Sequence, residues 1–218
     1  MPDQPVEDGR RAVGAPAGRA GRPSPALTAP PRLFVVTGPS GAGKGTLIRA
    51  LVGSRPDLEL AVSATTRPRR PGEVDGREYY FLTDEEFDRR LAAGEFLEYV
   101  TFPWGQRSGT LLSEIDRIAA KGHACLLELE LHGAATVRDR VEGSVTIFVD
   151  APLDELERRL RVRATESAGE IDERLALARE QRRVAHEFDY VIVNDDLDRA
   201  VAELEEVVNR ETGRLPAT

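Results

Sequence analysis

Apolar residues fall along this chain in two textures: short unbroken runs, and longer stretches in which they recur every three or four positions. Leu33-Phe34-Val35-Val36-Thr37 is the first run. It is too short for a helix, rich in β-branched residues and without polar alternation, so it predicts a strand buried on both faces. A glycine-rich segment follows, and Thr46, Leu47, Ile48, Ala50 and Leu51 then set out a helical pattern. Residues 60–67 predict a strand ending in polar groups, residues 68–76 a loop rich in Pro, Arg and Gly, and residues 79–82 a short strand. Thr83-Asp84-Glu85-Glu86 has the form of a capping box and opens a helix through residue 93. Further strands are predicted at 95–102, 124–131, 145–149 and 190–193. Helices are predicted at 111–121, from 133, from 152 through 160, at 171–188 and at 197–210.

Apolar strands separated by helices predict an α/β fold, a parallel sheet with helices on both faces. Residues 31–62, 111–150 and 188–212 carry this pattern and form the predicted core. Residues 63–110 break it with short strands and loops and read as an insertion, while residues 151–187 carry two helices, the first rich in arginine. Residues 1–30 hold Pro, Gly, Ala and Arg with almost no large apolar side chain, which predicts a disordered tail. The tail lacks the apolar h-region of a secretory signal, and Asp3, Glu7 and Asp8 count against a transit peptide.

Composition narrows the picture. With 40% hydrophobic residues in 218, the chain holds a real core and one domain with a small insertion. No run of eighteen apolar residues is present, so no membrane span or membrane partner is expected. The net charge of −8 argues against general affinity for nucleic acid, while leaving room for a local basic pocket. Cys125 is the single cysteine, which excludes an internal disulfide and a zinc site built on several thiolates. It falls in a predicted strand and reads as a small buried apolar residue, and His123, His132 and His186 show no metal-ligand spacing. A cytoplasmic location is expected, and the oligomeric state is left open. Only two lysines, Lys44 and Lys121, stand against 28 arginines, a skew that reflects genome composition. One of the two nevertheless lies in the glycine-rich segment.

That segment is Gly38-Pro39-Ser40-Gly41-Ala42-Gly43-Lys44-Gly45-Thr46, between a predicted strand and a predicted helix. This is the context of a phosphate-binding P-loop. Glycines let the chain turn back and present successive N–H groups to phosphate oxygens, and the helix start adds its own amides and dipole. Lys44 is then placed to reach the β- and γ-phosphates of ATP. The residue after Lys44 is Gly45, and the hydroxyl comes one position late, at Thr46. The usual direct magnesium ligand is therefore missing. Mg2+ is expected to be held mainly through the ATP phosphates and water, with no protein metal ligand assigned.

The loop occurs together with Ser63-Ala64-Thr65-Thr66-Arg67-Pro68-Arg69-Arg70-Pro71-Gly72-Glu73-Val74-Asp75-Gly76. With that stretch the chain resembles the guanylate kinase family. The likeness continues through Gly94-Glu95-Phe96-Leu97-Glu98-Tyr99, Arg163-Ala164-Thr165-Glu166 and Val191-Ile192-Val193-Asn194-Asp195-Asp196-Leu197-Asp198, and covers about residues 32–210. The resemblance implies transfer of the ATP γ-phosphoryl group to GMP, giving ADP and GDP. It implies a P-loop NTPase-type sheet, with residues 63–110 as the NMP-binding insertion and 151–187 as the lid.

It also implies roles for single residues. Arg67 and Arg70 would hold the GMP phosphate with Tyr79, and guanidinium forks suit a dianionic phosphate. Glu98 would read guanine, helped by Ser63 and Thr110. Guanine presents N1–H and N2–H₂ as donors on one edge, a carboxylate accepts both, and adenine lacks that pair. Glu130, where the family usually has Asp, would contact the same edge or sit beside magnesium through water; acids alternating at a strand end are equally a solvated edge. Arg163 and Arg174 would converge on the phosphates as the lid closes, and Asn194 and Asp195 would edge the adenine pocket. Among the other lid arginines, most read as solvated partners of Glu155, Glu157 and Glu173. Ser108 stands where the family often has Tyr, and Ala164 where it usually has Gly.

Two other readings share these features. One is a non-catalytic guanylate-kinase-like module that binds a phosphorylated partner; the intact Lys44 and loop glycines speak against it. The other is a different small-molecule kinase of the same fold, against which Glu98 and residues 63–76 speak.

Overall fold

The computed structural model describes residues 32–162 and 168–213. The first apolar run forms β1 (Leu33–Thr37), followed by α1 (Lys44–Ser54) and β2 (Leu58–Leu60). Next come β3 (Ala64–Thr65), β4 (Tyr80–Phe81), α2 (Asp84–Ala92), β5 (Phe96–Thr101) and β6 (Arg107–Leu111). The chain continues through α3 (Leu112–Ala119), β7 (Ala124–Glu128), α4 (Leu131–Arg140) and β8 (Val145–Asp150). It ends with α5 (Leu153–Val162), α6 (Ala168–Arg183), a 3₁₀ turn (Ala185–Glu187), β9 (Tyr190–Val193) and α7 (Leu197–Thr212).

Five strands, in the order β2-β7-β1-β8-β9, form a wholly parallel sheet. Successive residues of a strand face opposite sides. Phe34 and Val36 accordingly pack with Leu47, Ile48 and Leu51 of α1 and Leu204 of α7. Leu33 and Val35 pack on the other side with Ile115 and Ile118 of α3 and Val137 of α4. Both faces are covered, which is why β1 is apolar at every position from Leu33 to Val36. Among the described residues, no helix is long and apolar enough to cross a membrane.

A second sheet, β4-β3-β6-β5, stands apart from the first. Its β3–β4 pair is parallel, and β3–β6 and β5–β6 are antiparallel. Phe87 of α2 packs against it, stacked on Phe96 with ring centroids 4.4 Å apart. The Thr83 capping box forms as predicted, with both reciprocal hydrogen bonds made.

Several boundaries differ from the sequence reading. Residues 60–67 are not one strand: β2 belongs to the first sheet and β3 to the second. The strand predicted over 124–131 ends at Glu128, and α4 begins at Leu131 rather than at 133. Glu130 therefore stands just before a helix start, in extended backbone and without a side-chain cap bond, and not at the end of a strand. The helix predicted over 171–188 is α6, starting earlier at Ala168, plus the separate 3₁₀ turn. Strand β6, whose sequence Arg-Ser-Gly-Thr-Leu carries no apolar pattern, has no counterpart in the sequence reading.

One buried carboxylate ties the two sheets together. Glu114 of α3 is 1% exposed. It accepts from the Val62 N–H between β2 and β3 at 3.0 Å, and from the Tyr80 hydroxyl of β4 at 2.9 Å. Arg117 Nε and Nη2 donate to it at 2.9 and 2.8 Å. Burial alone would push this carboxyl up, but the bonds from Arg117, Val62 and Tyr80 outweigh it and hold the group below the ordinary glutamate value. A carboxyl depressed on folding stabilises the protein above its unfolded pKa, near 4.3, and the contribution is lost as pH falls through the folded value. Glu114→Ala is expected to cost about 1–3 kcal/mol at pH 7, because it leaves a part-buried N–H and hydroxyl without their acceptor. Urea titration of both proteins at pH 7 and pH 4 checks this: the gap narrows at pH 4.

Candidate functional site

The C-terminal edge of a parallel sheet is where its loops converge. At that edge β1 passes into the glycine-rich loop, and Gly43 takes φ 88° as the residue before α1. Only glycine occupies that conformation without strain, and a β-carbon there would collide with the side-chain amide of Asn194. The α1 start has no side-chain cap and no acidic residue in its first turn, which leaves its positive end turned toward the loop. Lys44 Nζ donates to the carbonyls of Gly38 at 2.7 Å and Pro39 at 3.1 Å, arching over the loop.

The loop is braced from behind. Asn194 Nδ2 donates to the Ala42 carbonyl at 2.7 Å. Arg159 Nη1 reaches the carbonyls of Ala42 at 3.3 Å and Gly41 at 3.4 Å, and its Nη2 donates to Asn194 O at 3.1 Å. Arg159 is itself held by Glu155 at 2.7 Å, whose carboxyl is drawn down to about 2 by Arg158 and Arg159. Asn194, expected along the adenine pocket, is 3% exposed and commits its amide to the loop. Arg159, from α5, thus also touches the loop backbone. Of the two arginines singled out in the lid, Arg174 Nη1 lies 3.5 Å from Ser40 Oγ. Arg163 lies outside the described residues.

The loop forms one wall of a cleft of about 820 Å³. Ser40, Gly41, Gly43, Lys44, Gly45 and Thr46 line it on this side. The opposite wall belongs to the second sheet and its loop, with Ser63, Arg67, Arg70, Tyr79 and Glu98. Thr110 sits behind this wall, 1% exposed, opposite Glu98 in the β5–β6 register. Its hydroxyl donates to Glu98 Oε1 at 2.8 Å. Glu98 is 5% exposed, and burial pushes its carboxyl above the ordinary value, with the Thr110 bonds opposing. The group is thus a desolvated acceptor with one oxygen fixed.

Arg67 is pre-set. Its two terminal nitrogens pair with Glu73 at 2.8 and 3.0 Å, and its guanidinium lies over the rings of Tyr79 and Phe81 at 5.2 and 5.6 Å. Glu73 also accepts from the Arg70 backbone N–H at 2.7 Å, so one carboxylate shapes the whole arginine loop. Arg67 holds the Glu73 carboxyl below its usual range. Ser108 Oγ donates to the Ala64 carbonyl at 3.1 Å and so serves the sheet.

Glu128 and Glu130 both line the floor. Sequence reading singles out Glu130 and passes over Glu128, which ends β7 beside Val36 of β1. The Glu128 carboxylate lies close to Gly45, where a β-carbon would meet Oε2 at 3.7 Å. Burial pushes its pKa up, Lys44 and Arg49 pull it back, and Glu130 adds to the rise. The signal available in the sequence is its place at the C-terminal end of a buried strand next to the loop strand. Among the described residues, no group of three or more His, Cys, Asp and Glu could hold a metal ion. Cys125 is fully buried and its thiol is pushed up to about 12, chiefly by burial.

Comparison with known proteins identifies the family. The family model for guanylate kinase matches residues 30–211. The chain is 48% identical over 183 residues to a guanylate kinase of Symbiobacterium thermophilum, covering 84% of this chain and 86% of that protein. It is 48% identical over 180 residues to a guanylate kinase of Rubrobacter xylanophilus, covering 82% and 94%. The crystal structure of guanylate kinase from Anaplasma phagocytophilum superposes with a TM-score of 0.64 at 28% identity, covering 84% of this chain and 86% of that one. A match across the sheet, the glycine-rich loop and the opposite wall of the cleft places this chain in the guanylate kinase family.

Proposed function

We propose that the protein transfers the γ-phosphoryl group of ATP to GMP, giving ADP and GDP within purine nucleotide metabolism. The observation that carries this reading is one cleft with two unlike walls: backbone amides and Lys44 on one side, Arg67, Arg70 and the buried Glu98 on the other. The first wall suits the ATP phosphates. The second suits a nucleoside monophosphate whose base offers two donors on one edge, with Ser63, Thr110 and Tyr79 completing it and Glu130 facing the same space.

In this reading a GMP phosphate oxygen attacks the γ-phosphorus in line. A new P–O bond forms as the bond to the β–γ bridging oxygen breaks, and its electron pair leaves with ADP. The nucleophile is already anionic, so positioning and charge neutralisation supply the catalysis rather than a general base. Lys44 and Arg174, with Arg163 from the lid, take the charge that spreads over the γ-oxygens.

Kinases of this family generally need a divalent metal, and we take Mg2+ to be that ion in this reading. The donor set fits: Glu128 is a carboxylate whose burial cost a nearby cation would offset, while the nucleotide phosphates and water would supply the remaining oxygens. Glu128 would lie beside such an ion, which would supply charge neutralisation at the phosphate oxygens. ATP and GMP are the partners in this reading, and the proposed location is cytoplasmic.

The test is a coupled ADP-release assay with ATP against GMP, dGMP, AMP, CMP and UMP. GMP is expected to exceed AMP by about 100-fold or more in kcat/KM, since an unpaired buried acceptor rejects the wrong base strongly. Comparable use of AMP would overturn the assignment.

A further inference from the structure

Helix α4 opens directly against the carboxylate of Glu98. Gly133, in its first turn, is buried. A β-carbon built on it would lie 2.6 Å from Glu98 Oε2 and 3.4 Å from Glu98 Cδ, the next neighbour being Leu129 Cβ at an ordinary 3.6 Å. The other Glu98 oxygen is already fixed by Thr110. The carboxylate is therefore held by a hydroxyl on one side and rests on the bare backbone of Gly133 on the other.

The backbone does not ask for glycine here. Gly133 is absent from the residues with positive φ, and inside a helix alanine is favoured over glycine. Folding alone would select alanine. What glycine supplies is the space the carboxylate occupies. We propose that Gly133 is a positioning residue for acceptor-base selection: by carrying no side chain it sets the pose of Glu98, and through it the preference for a purine with paired ring and exocyclic N–H donors. The inference rests on the reading of Glu98 as the group that accepts from the base.

The obstacle to a β-carbon is the far end of a flexible side chain, not backbone. Gly133→Ala is thus accommodated by a swing of the Glu98 carboxylate, at little cost to the fold. Hydrogen bonds weaken steeply with misplacement, so the same swing is costly to recognition. A residue that mattered only for packing would behave in the opposite way, losing stability and disturbing both substrates together.

The experiment compares wild type, Gly133→Ala, Glu98→Asp and the double variant by steady-state kinetics with GMP and with ATP varied, and by thermal melting. Gly133→Ala is expected to raise the KM for GMP about tenfold or more, the loss of at least one charge-assisted bond. Its KM for ATP and its kcat stay near wild type, and its Tm is unchanged or higher. Glu98→Asp, whose shorter side chain withdraws from residue 133, is expected to cost less in the Gly133→Ala background than in wild type, a coupling that independent sites do not show. An unchanged KM for GMP in Gly133→Ala overturns the inference, as does a joint rise in both KM values with a lower Tm. If Glu98→Gln impairs GMP use while Gly133→Ala does not, the base-reading role stands and only this inference fails. If wild type makes no GDP, both fall.

Discussion

Lys44→Met is expected to lower ADP formation from ATP and GMP by about three orders of magnitude, the scale on which removal of a cation or donor at a developing oxyanion acts. The chain remains folded. Lys44 is part-buried and its ammonium spans the loop through the carbonyls of Gly38 and Pro39, so methionine keeps the stem and removes only the charge and its donors. Backbone amides still bind the nucleotide, so the loss is expected mainly in kcat rather than in the KM for ATP. Thr46→Ala serves as the comparison, because the Thr46 hydroxyl accepts a hydrogen bond from Arg49 at 3.3 Å and sits one position beyond the usual metal ligand. It is expected to retain far more activity. Turnover by Lys44→Met within tenfold of wild type would remove the assigned role.

Glu98→Gln is expected to move function and stability in opposite directions. GMP use, as kcat/KM, falls by about 30-fold or more, since a charged acceptor of two N–H groups becomes an amide that offers one acceptor and one clashing donor. Stability rises. The folded-state pKa of Glu98 is raised by burial, so the stability linked to this group is fully present below its unfolded value and is lost as pH rises through the folded one. At neutral pH the ionised carboxylate therefore burdens the fold, and the neutral isostere removes that burden. Differential melting at pH 7 together with the GMP titration tests both halves. The wild-type pH profile adds a third: kcat/KM for GMP falls on acidification with a midpoint above the ordinary glutamate value, and this limb is absent from the variant. A Tm below wild type would contradict the account of Glu98 as a desolvated acceptor held for recognition.

The first sheet was legible because its central strands are covered on both faces. A run such as Leu33–Val36 is apolar throughout, and β8 is likewise buried at every position. The second sheet was not. Strand β3 is two residues long, and the break after β2 is fixed by the Val62 N–H finding Glu114, fifty-two positions away. Strand β6 buries Gly109, Thr110 and Leu111 with no apolar signature because a hydroxyl and a bare backbone fill the space. The same limit applied to the site. Residues whose chemistry faces the cleft, such as Lys44, Arg67 and Glu98, sit in motifs with fixed local spacing. Asn194 and Arg159 act through the loop backbone from distant elements, and only folding shows that they reach it. Glu128 and Glu130 lie two apart, and their sequence does not tell which one ends a strand and which one precedes a helix.

The buried state of Cys125 has a practical outcome. A thiol sealed in the sheet with its ionisation pushed to about 12 offers almost no thiolate at neutral pH, so maleimide and iodoacetamide reagents pass it by. Because the chain holds one cysteine, a second placed on the exposed hairpin at Trp104 would be the sole reactive label without prior removal of the native one. A dye there would report on the surroundings of the β5–β6 hairpin with and without nucleotides.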